Sequence, residues 1–373
     1  MRKIFIITER RADYSRFKPI LELIENDNDL DYILTVTGAH LKKELGYTID
    51  EIIRDGFNVH YKIKMFDDDE DSGGAMIRSF SKVAHELTFI LEESKPDIIL
   101  SGFDIGANMA VAITGAHMNI PVGHIQGGEV TGTIDESIRH AMTKFSHFHL
   151  ASNKDAVERL IKMGEKPEYV YDVGCPSIDA ILDIDDDSKI LNKYNLRKDF
   201  FILIQHPVTT EFYENSRNIK ETIDALKEFI DYDVIIILPN NDAGYSQIVE
   251  QLNFSNFKTV ESLGLSDYIN LLKRAQLLIG NSSSGIHEAS SFNIPVINIG
   301  TRQAGRLRPK NVIDVDYSKE KICEAIKKGI LMKLTNSSFI NPYGDGKSSQ
   351  RIVEILKNID IQDNKLIQKQ ITY

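Results

Sequence analysis

The sequence predicts an α/β protein built from two doubly wound domains, and three observations carry that expectation. Short, apolar, β-branched segments alternate with helical patterns along the whole chain. The alternation breaks near residues 177–195 and then restarts. A length of 373 residues supplies two cores of ordinary size, since domains mostly hold roughly 100–200 residues. Alternation of this kind is what parallel βαβ units produce.

Taken in order, the first strand is Lys3-Ile4-Phe5-Ile6-Ile7, followed by a helix whose apolar face is Phe17, Ile20, Leu21 and Ile24. Further strands fall on residues 32–36, 97–100, 121–125, 148–150 and 169–173. Then Asp183-Ile184-Asp185-Asp186-Asp187-Ser188 raises charge and polarity, and reads as the inter-domain connection. Beyond it strands are expected at 200–205, 234–238, 277–280 and 295–298. The first domain is set at 1–178 and the second at 179–346. Ligands are then expected at the carboxyl ends of the strands and in the cleft between the domains.

Composition excludes several function classes. Hydrophobic residues make up 42% and charged residues 27%, the balance of a soluble globular protein. No run of about 18 apolar residues appears, and the chain enters a strand pattern where a signal peptide would stand. A cytoplasmic protein without a membrane partner is expected. Cys175 and Cys323 are the only cysteines, with no His or Cys neighbours at metal spacing, so neither a disulfide framework nor a metal site is expected. The formal charge of −11 argues against nucleic acid, whose non-specific binding rests on excess Lys and Arg.

Polar residues gather at the strand ends. Residues 124–140 combine Glu129, Asp135 and Glu136 with Gly127, Gly128, Gly132, Arg139 and His140. Glycine lets a backbone approach a ligand closely, and carboxylates at the mouth of an α/β sheet can exchange protons with what binds there. The same residues also suit a plain helix start, with Thr133 or Asp135 as cap and Glu129 and Glu136 solvated. After the first strand, Arg11 and a helix N-terminus are placed to hold an anion. Asp104 follows the strand at 97–100 as a helix cap or a base. His206, fixed by Pro207, follows a strand of the second domain and is either a ligand contact or structural.

Gly280-Asn281-Ser282-Ser283-Ser284-Gly285 is the sharpest phosphate signal, because small residues between strand and helix present N–H groups and hydroxyls. It is no Walker A loop, for no Gly-Lys-Ser/Thr follows. Arg302, Arg306 and Arg308 follow the next strand, where a diphosphate would sit, and Glu288 reads as a ribose acceptor. The acidic run 67–71 reads as a solvated, mobile loop able to act as a lid.

Segments 11–15, 124–140, 205–210, 239–244, 280–283, 300–303 and 343–346, in this order, resemble the hydrolysing UDP-N-acetylglucosamine 2-epimerases. These are the enzymes of bacterial sialic-acid and legionaminic-acid synthesis and the epimerase half of the animal bifunctional enzyme that makes N-acetylmannosamine. The resemblance implies two Rossmann-like doubly wound domains facing a cleft, as in the B-type glycosyltransferases (GT-B-like). It also implies a helix at about 347–359, with 347–373 crossing back to the first domain, and a homodimer or tetramer. The family's nucleotide contacts would fall on Arg11, Ala12, His206, Asn240, Ser282, Ser283, Glu288 and Arg302, with Asp13, Gln126, Ser284, Gln303 and Arg306 beside them.

The chemistry so implied removes the proton on sugar carbon 2 while the nucleoside diphosphate leaves carbon 1, then hydrates the glycal with protonation from the other face. Proton transfers on opposite faces need at least two acid/base groups, drawn from Asp104, Glu129, Asp135, Glu136 and His206. The departing diphosphate needs Ser282, Ser283, Arg302 and Arg11. No cofactor is needed, which fits the lack of a Gly-x-Gly-x-x-Gly after the first strand.

The chain departs from the family twice. Phe103-Asp104-Ile105 stands where most members have Gly-Asp-Arg, and Gln126 where many have glutamate. Gln cannot accept a proton, so the expectation moves to Glu129 and Asp135. The lost arginine makes a modified sugar, such as a 2,4-diacetamido-trideoxy-hexose, more plausible. A GT-B glycosyltransferase and a catalytically impaired nucleotide-sugar binding protein are the alternatives.

Overall fold

The computed structural model describes residues 1–43, 47–66, 73–103, 106–130, 134–197, 199–239, 244–261, 263–335 and 338–372. The acidic run 67–71 lies outside them. The chain divides into two compact units, Met1–Ala180 with Tyr343–Tyr373, and Ile181–Pro342. The return to the first unit thus begins at Tyr343, four residues before 347, because Tyr343 is buried and its carbonyl accepts the Cys175 amide at 2.6 Å.

Seven parallel strands form the first unit's sheet: β1 (Arg2–Thr8), β2 (Leu30–Thr37), β3 (Tyr61–Ile63), β4 (Ile98–Gly102), β5 (Val122–Ile125), β6 (Phe148–Ala151) and β7 (Val170–Asp172). Helices α1 (Arg11–Glu25), α2 (Ile49–Arg54), α3 (Gly73–Ser94), α4 (Gly106–His117), α5 (Ile134–Phe145), α6 (Lys154–Lys162) and α7 (Pro176–Leu182) alternate with them. The spatial order is β3-β2-β1-β4-β5-β6-β7. The chain therefore winds outward from β1 to one edge, then returns to β4 and winds to the other. Loops leaving β1 and β4 diverge, which opens a crevice at their carboxyl ends.

Residues 4–7 of β1 are wholly buried, as a parallel strand covered on both faces must be. Alternate residues serve the two faces. Ile4, Ile6, Leu34 and Leu100 pack with Phe17, Ile20, Leu21 and Ile24 of α1. Phe5, Ile7 and Ile99 pack with Val83, Leu87 and Leu91 of α3 and Ala107, Ala110 and Val111 of α4.

The second unit repeats the plan with α8 (Ile190–Lys193), β8 (Phe200–Ile204), α9 (Asn215–Leu226), β9 (Asp233–Ile237), α10 (Tyr245–Asn253), β10 (Lys258–Val260), α11 (Leu265–Arg274), β11 (Leu277–Gly280), α12 (Ser283–His287), β12 (Val296–Ile299), β13 (Val312–Val315) and α13 (Lys319–Leu334). Its order, β10-β9-β8-β11-β12-β13, puts the crevice between β8 and β11. The acidic stretch 183–188 is bound to this unit. Asn270 and Lys273 of α11 donate to the Asp185 and Ile184 carbonyls at 3.0 and 2.7 Å, and Arg274 pairs with Asp186 at 2.6 Å.

The chain ends with α14 (Ser348–Asn358) and α15 (Asn364–Ile367), both part of the first unit. Ile352, Val353 and Leu356 of α14 complete the apolar cluster under α1. Arg2 holds the far end of α14 by donating to the Leu356 and Lys357 carbonyls at 2.5 and 3.0 Å. Lys357 pairs with Asp27 at 2.8 Å and Asp29 at 3.1 Å. Among the described residues no helix is long and apolar enough to cross a membrane.

Ile352 is fully buried in the cluster that α1 and α14 share. Ile352→Ala is expected to destabilise the first unit by about 2–5 kcal/mol, read from the urea midpoint at unchanged slope.

Candidate active site

In the first unit the chain turns sharply after β5. Gln126 takes φ +58° and Gly128 φ +79°. A side chain at 128 would lie 2.5 Å from the Ala156 carbonyl oxygen, so only glycine fits. Three donors fix the turn: the Gln126 amide to Leu150 O at 3.0 Å, Arg159 Nη1 to Gly128 O at 2.5 Å, and Arg139 Nη1 to Glu129 O at 3.0 Å. Glu129 is 9% exposed, and its carboxylate accepts the Ser152 hydroxyl from the end of β6. The carboxylate is thereby held at the carboxyl ends of two adjacent strands.

Two sequence-named carboxylates cannot be placed beside it. Asp104 and its neighbour Ile105 lie outside the described residues, and so does the side chain of Asp135 on α5. Glu136, one residue further along α5, pairs with His140 at 3.6 Å. Gln126 turns its Nε2 to the Cys175 sulfur at 2.9 Å, in a buried position where burial pushes the thiol up to about 11.

A buried ion cluster anchors α5. Glu165 is 1% exposed and meets His149 of β6 at 2.8 Å, Lys144 of α5 at 2.7 Å and Lys369 at 2.5 Å. Lys369 also donates to the Thr143 and Ser146 carbonyls at 2.6 and 2.7 Å, where the last turn of α5 leaves acceptors open. Burial alone would raise the Glu165 carboxyl, but hydrogen bonds from His149, Lys144 and Lys369 outweigh it and hold the group at about 2. Burial likewise lowers the His149 and His124 imidazoles below their ordinary range.

At the β1–β4 crevice, Arg11 and Ala12 are exposed at the start of α1, and Arg11 pairs with Glu51 at 3.1 Å. Asp13 is buried. Its two oxygens accept the Glu9 and Arg10 amides, each at 2.8 Å, so it closes the loop on itself. Burial pushes its carboxyl up to about 6. Glu9, which sequence reasoning passed over, accepts the Ala107 amide of α4 at 2.9 Å. Its signal was its position: an acid directly after the buried run 4–8 of β1.

The second unit's loops converge on Asn281, also passed over. A side chain at Gly280 would sit 2.0 Å from the Ile204 carbonyl oxygen, so β11 runs tight against β8 there. Asn281 Oδ1 accepts the His206 amide at 2.6 Å, and its Nδ2 donates to His206 O at 2.9 Å. Arg302 Nη1 and Gln303 Nε2 both donate to Asn281 O, at 3.1 and 2.8 Å. Arg306 reaches Gln303 Oε1 at 3.0 Å. One buried asparagine thus gathers His206 through its amide and Arg302 and Gln303, with Arg306 behind Gln303, through its carbonyl, while Asn240 lies outside the described residues.

The three serines differ in role. Ser282 caps α12 by accepting the Ser284 amide at 3.3 Å. Ser284 donates to Glu288 Oε2 at 2.6 Å and contacts the Tyr268 hydroxyl. Ser283 is exposed at the first position of α12. Chemically, the first unit offers a held carboxylate, and the second offers guanidinium and hydroxyl donors suited to phosphate. Among the described residues no group of His, Cys, Asp and Glu could hold a metal ion.

A model of the family described as UDP-N-acetylglucosamine 2-epimerase matches residues 22–357. The chain is 35% identical over 378 residues to the UDP-N,N'-diacetylbacillosamine 2-epimerase (hydrolyzing) of Legionella pneumophila, covering 98% of both chains. It is 33% identical over 365 residues to the UDP-N-acetylglucosamine 2-epimerase of Neisseria meningitidis serogroup B, covering 96% of both. Its fold resembles the crystal structure of UDP-GlcNAc 2-epimerase from Neisseria meningitidis bound to UDP-GlcNAc, with a TM-score of 0.79 and 20% identity over 95% of this chain and 99% of that one. The architecture is accordingly two Rossmann-like α/β domains with GT-B-like neighbours.

Acid should strike the Glu165 cluster. Its carboxyl titrates at 4.5 when unperturbed and at about 2 in the folded protein, so its stabilisation is full above pH 4.5 and is lost as pH falls towards 2. The shift corresponds to about 3 kcal/mol. Glu165→Gln is expected to remove stability of that order at pH 7 and to flatten the acid limb of a stability-versus-pH curve between pH 4.5 and 2.

Proposed function

The chain belongs to the UDP-N-acetylglucosamine 2-epimerase family, and we propose that it is a hydrolysing member that converts a UDP-linked 2-acetamido sugar to UDP and the free manno sugar. The sugar is N-acetylglucosamine or a diacetamido-6-deoxy relative. The reading is supported chiefly by Glu129, a carboxylate held by Ser152 in a glycine turn where β5 ends. A capped helix start explains neither its burial nor its hydroxyl partner.

In the proposed reaction Glu129 takes the proton from carbon 2. The electron pair forms the carbon 1–carbon 2 double bond, and the bond from carbon 1 to the diphosphate oxygen breaks. Arg302 and Arg306, tethered through Gln303 and Asn281, take up the charge that develops on the leaving diphosphate. Arg11, Ala12, Ser282, Ser283, His206 and Asn240 bind the nucleotide portion, and Glu288, oriented by Ser284, accepts from the ribose. Water then adds its oxygen to carbon 1, while Asp135, with Asp104 or Glu136, returns a proton to carbon 2 from the opposite face. The balance is nucleotide sugar plus water giving UDP and the 2-epimer. Such a product suits nonulosonic acid synthesis, with a cytoplasmic homodimer as the working form.

The protein is incubated with UDP- and GDP-linked N-acetylglucosamine and diacetamido sugars in D2O and followed by NMR. Free manno sugar carrying deuterium at carbon 2, plus nucleoside diphosphate, is the expected result. Nucleotide sugar left intact, or diphosphate released only with an acceptor present, would show a binding protein or a glycosyltransferase instead. Glu129→Gln should lower kcat by about 10²–10⁴-fold, and Arg302→Ala by about 10²–10³-fold, both measured by UDP release.

A further inference from the structure

We propose that Glu9 is a further acid/base residue of this reaction, taking the proton from the water whose oxygen adds to carbon 1, on the β1 side of the crevice, while Glu129 acts on carbon 2 from the β5 side. The inference rests on the epimerase reading above and adds a residue to it.

Position comes first. Glu9 is the first residue after β1, beside the point where the winding reverses between β1 and β4, which is where ligands of such sheets lodge. Strands β1 and β5 flank β4. At about 4.8 Å between neighbours, their ends stand about 10 Å apart, enough for one pyranose ring between two carboxyl groups.

The surroundings are built to admit this side chain. A Cβ at Gly38, which takes φ +58°, would fall 2.3 Å from Glu9 Cγ, and one at Gly106 would fall 3.8 Å from its Oε2. The loop after β2 thus needs glycine beside Glu9, whereas a side chain at Gly106 would meet it in ordinary contact. Ala107 N–H donates to Oε2 at 2.9 Å and fixes one oxygen. Among the described residues Glu9 forms no ion pair.

Among the described residues the charged groups of its own loop are few. Arg10 and Asp13 share its loop, and Asp13 is occupied by the Glu9 and Arg10 amides. From the β2 side comes His40, buried and neutral, with its ring nitrogens 3.0 Å from the Thr8 and 2.6 Å from the Thr48 hydroxyl. Met65, after β3, lies against Gly106, and the first turn of α4 carries no acid. Burial raises the Glu9 carboxyl above the ordinary range, against the pull of the Ala107 hydrogen bond and Arg10. A carboxyl moved towards neutrality is suited to giving as well as taking a proton.

A plain cap for α4 would explain the Ala107 hydrogen bond, and substitution separates the two roles. Glutamine keeps an oxygen for the Ala107 N–H but cannot carry the proton, whereas alanine loses both. Full-length wild type, Glu9→Gln and Glu9→Ala are compared for kcat, KM, the pH profile of kcat and thermal midpoint. Glu9→Gln is expected to hold KM within about threefold, lose about 10²-fold or more in kcat and lose one limb of the pH profile, at an unchanged midpoint. Wild-type kcat and pH profile in Glu9→Gln, or a loss that follows a lowered midpoint, would reduce Glu9 to a cap and overturn the proposal. Those outcomes leave wild-type turnover intact, whereas a wild type that consumes no nucleotide sugar removes the epimerase reading and this role together.

Discussion

The turn that holds Glu129 depends on one buried carboxylate that never touches it. Glu165 draws together β6 through His149, α5 through Lys144 and the C-terminal segment through Lys369. A buried carboxylate is tolerable only when its charge is matched and its lone pairs are used. Here three donors meet that condition, and each brings a different element. With the C-terminal turn of α5 held, Arg139 at its middle keeps hold of the Glu129 carbonyl. The position of the candidate base is therefore set by tertiary ion pairing as much as by its own turn.

The second unit solves a similar problem with a neutral group. Asn281 uses its amide and its backbone carbonyl to bind the loops after β8 and β12. The side-chain amide donates to and accepts from His206 at once while the backbone carbonyl takes Arg302 and Gln303, so both loops are tied without adding charge where an anion would lie. Arg302 and Arg306 are thereby pre-oriented, and little side-chain freedom would remain to be lost if an anion bound there.

The central strands were legible because a parallel strand buried on both faces reads as an unbroken apolar run. This holds for 4–7, 98–100, 200–204 and 277–280. Edge strands β3, β10 and β13 were not, since Lys258-Thr259-Val260 and its counterparts are short and half exposed. At the site, composition exposed the glycine turn and the serine loop. It did not reveal that Ser282 faces its own helix or that Ser284 serves Glu288. Glu9 and Asn281 were in plain view, but their meaning lies in partners 98 and 75 residues away. The acidic stretch 183–188 looked like a linker for the same reason: its cationic and amide partners sit on α11.

The return of residues 343–373 to the first unit has a consequence for biogenesis. The second unit is one continuous stretch, Ile181–Pro342, whereas the first is split around it. During synthesis the second unit can close while the first still exposes the face that Ile352, Val353 and Leu356 will cover. That face can be covered only once α14 has left the ribosome, well over a hundred codons after β7 was made. The nascent chain thus carries an apolar surface of long lifetime, and this places its greatest need for chaperone protection late in translation, on the half that was made first.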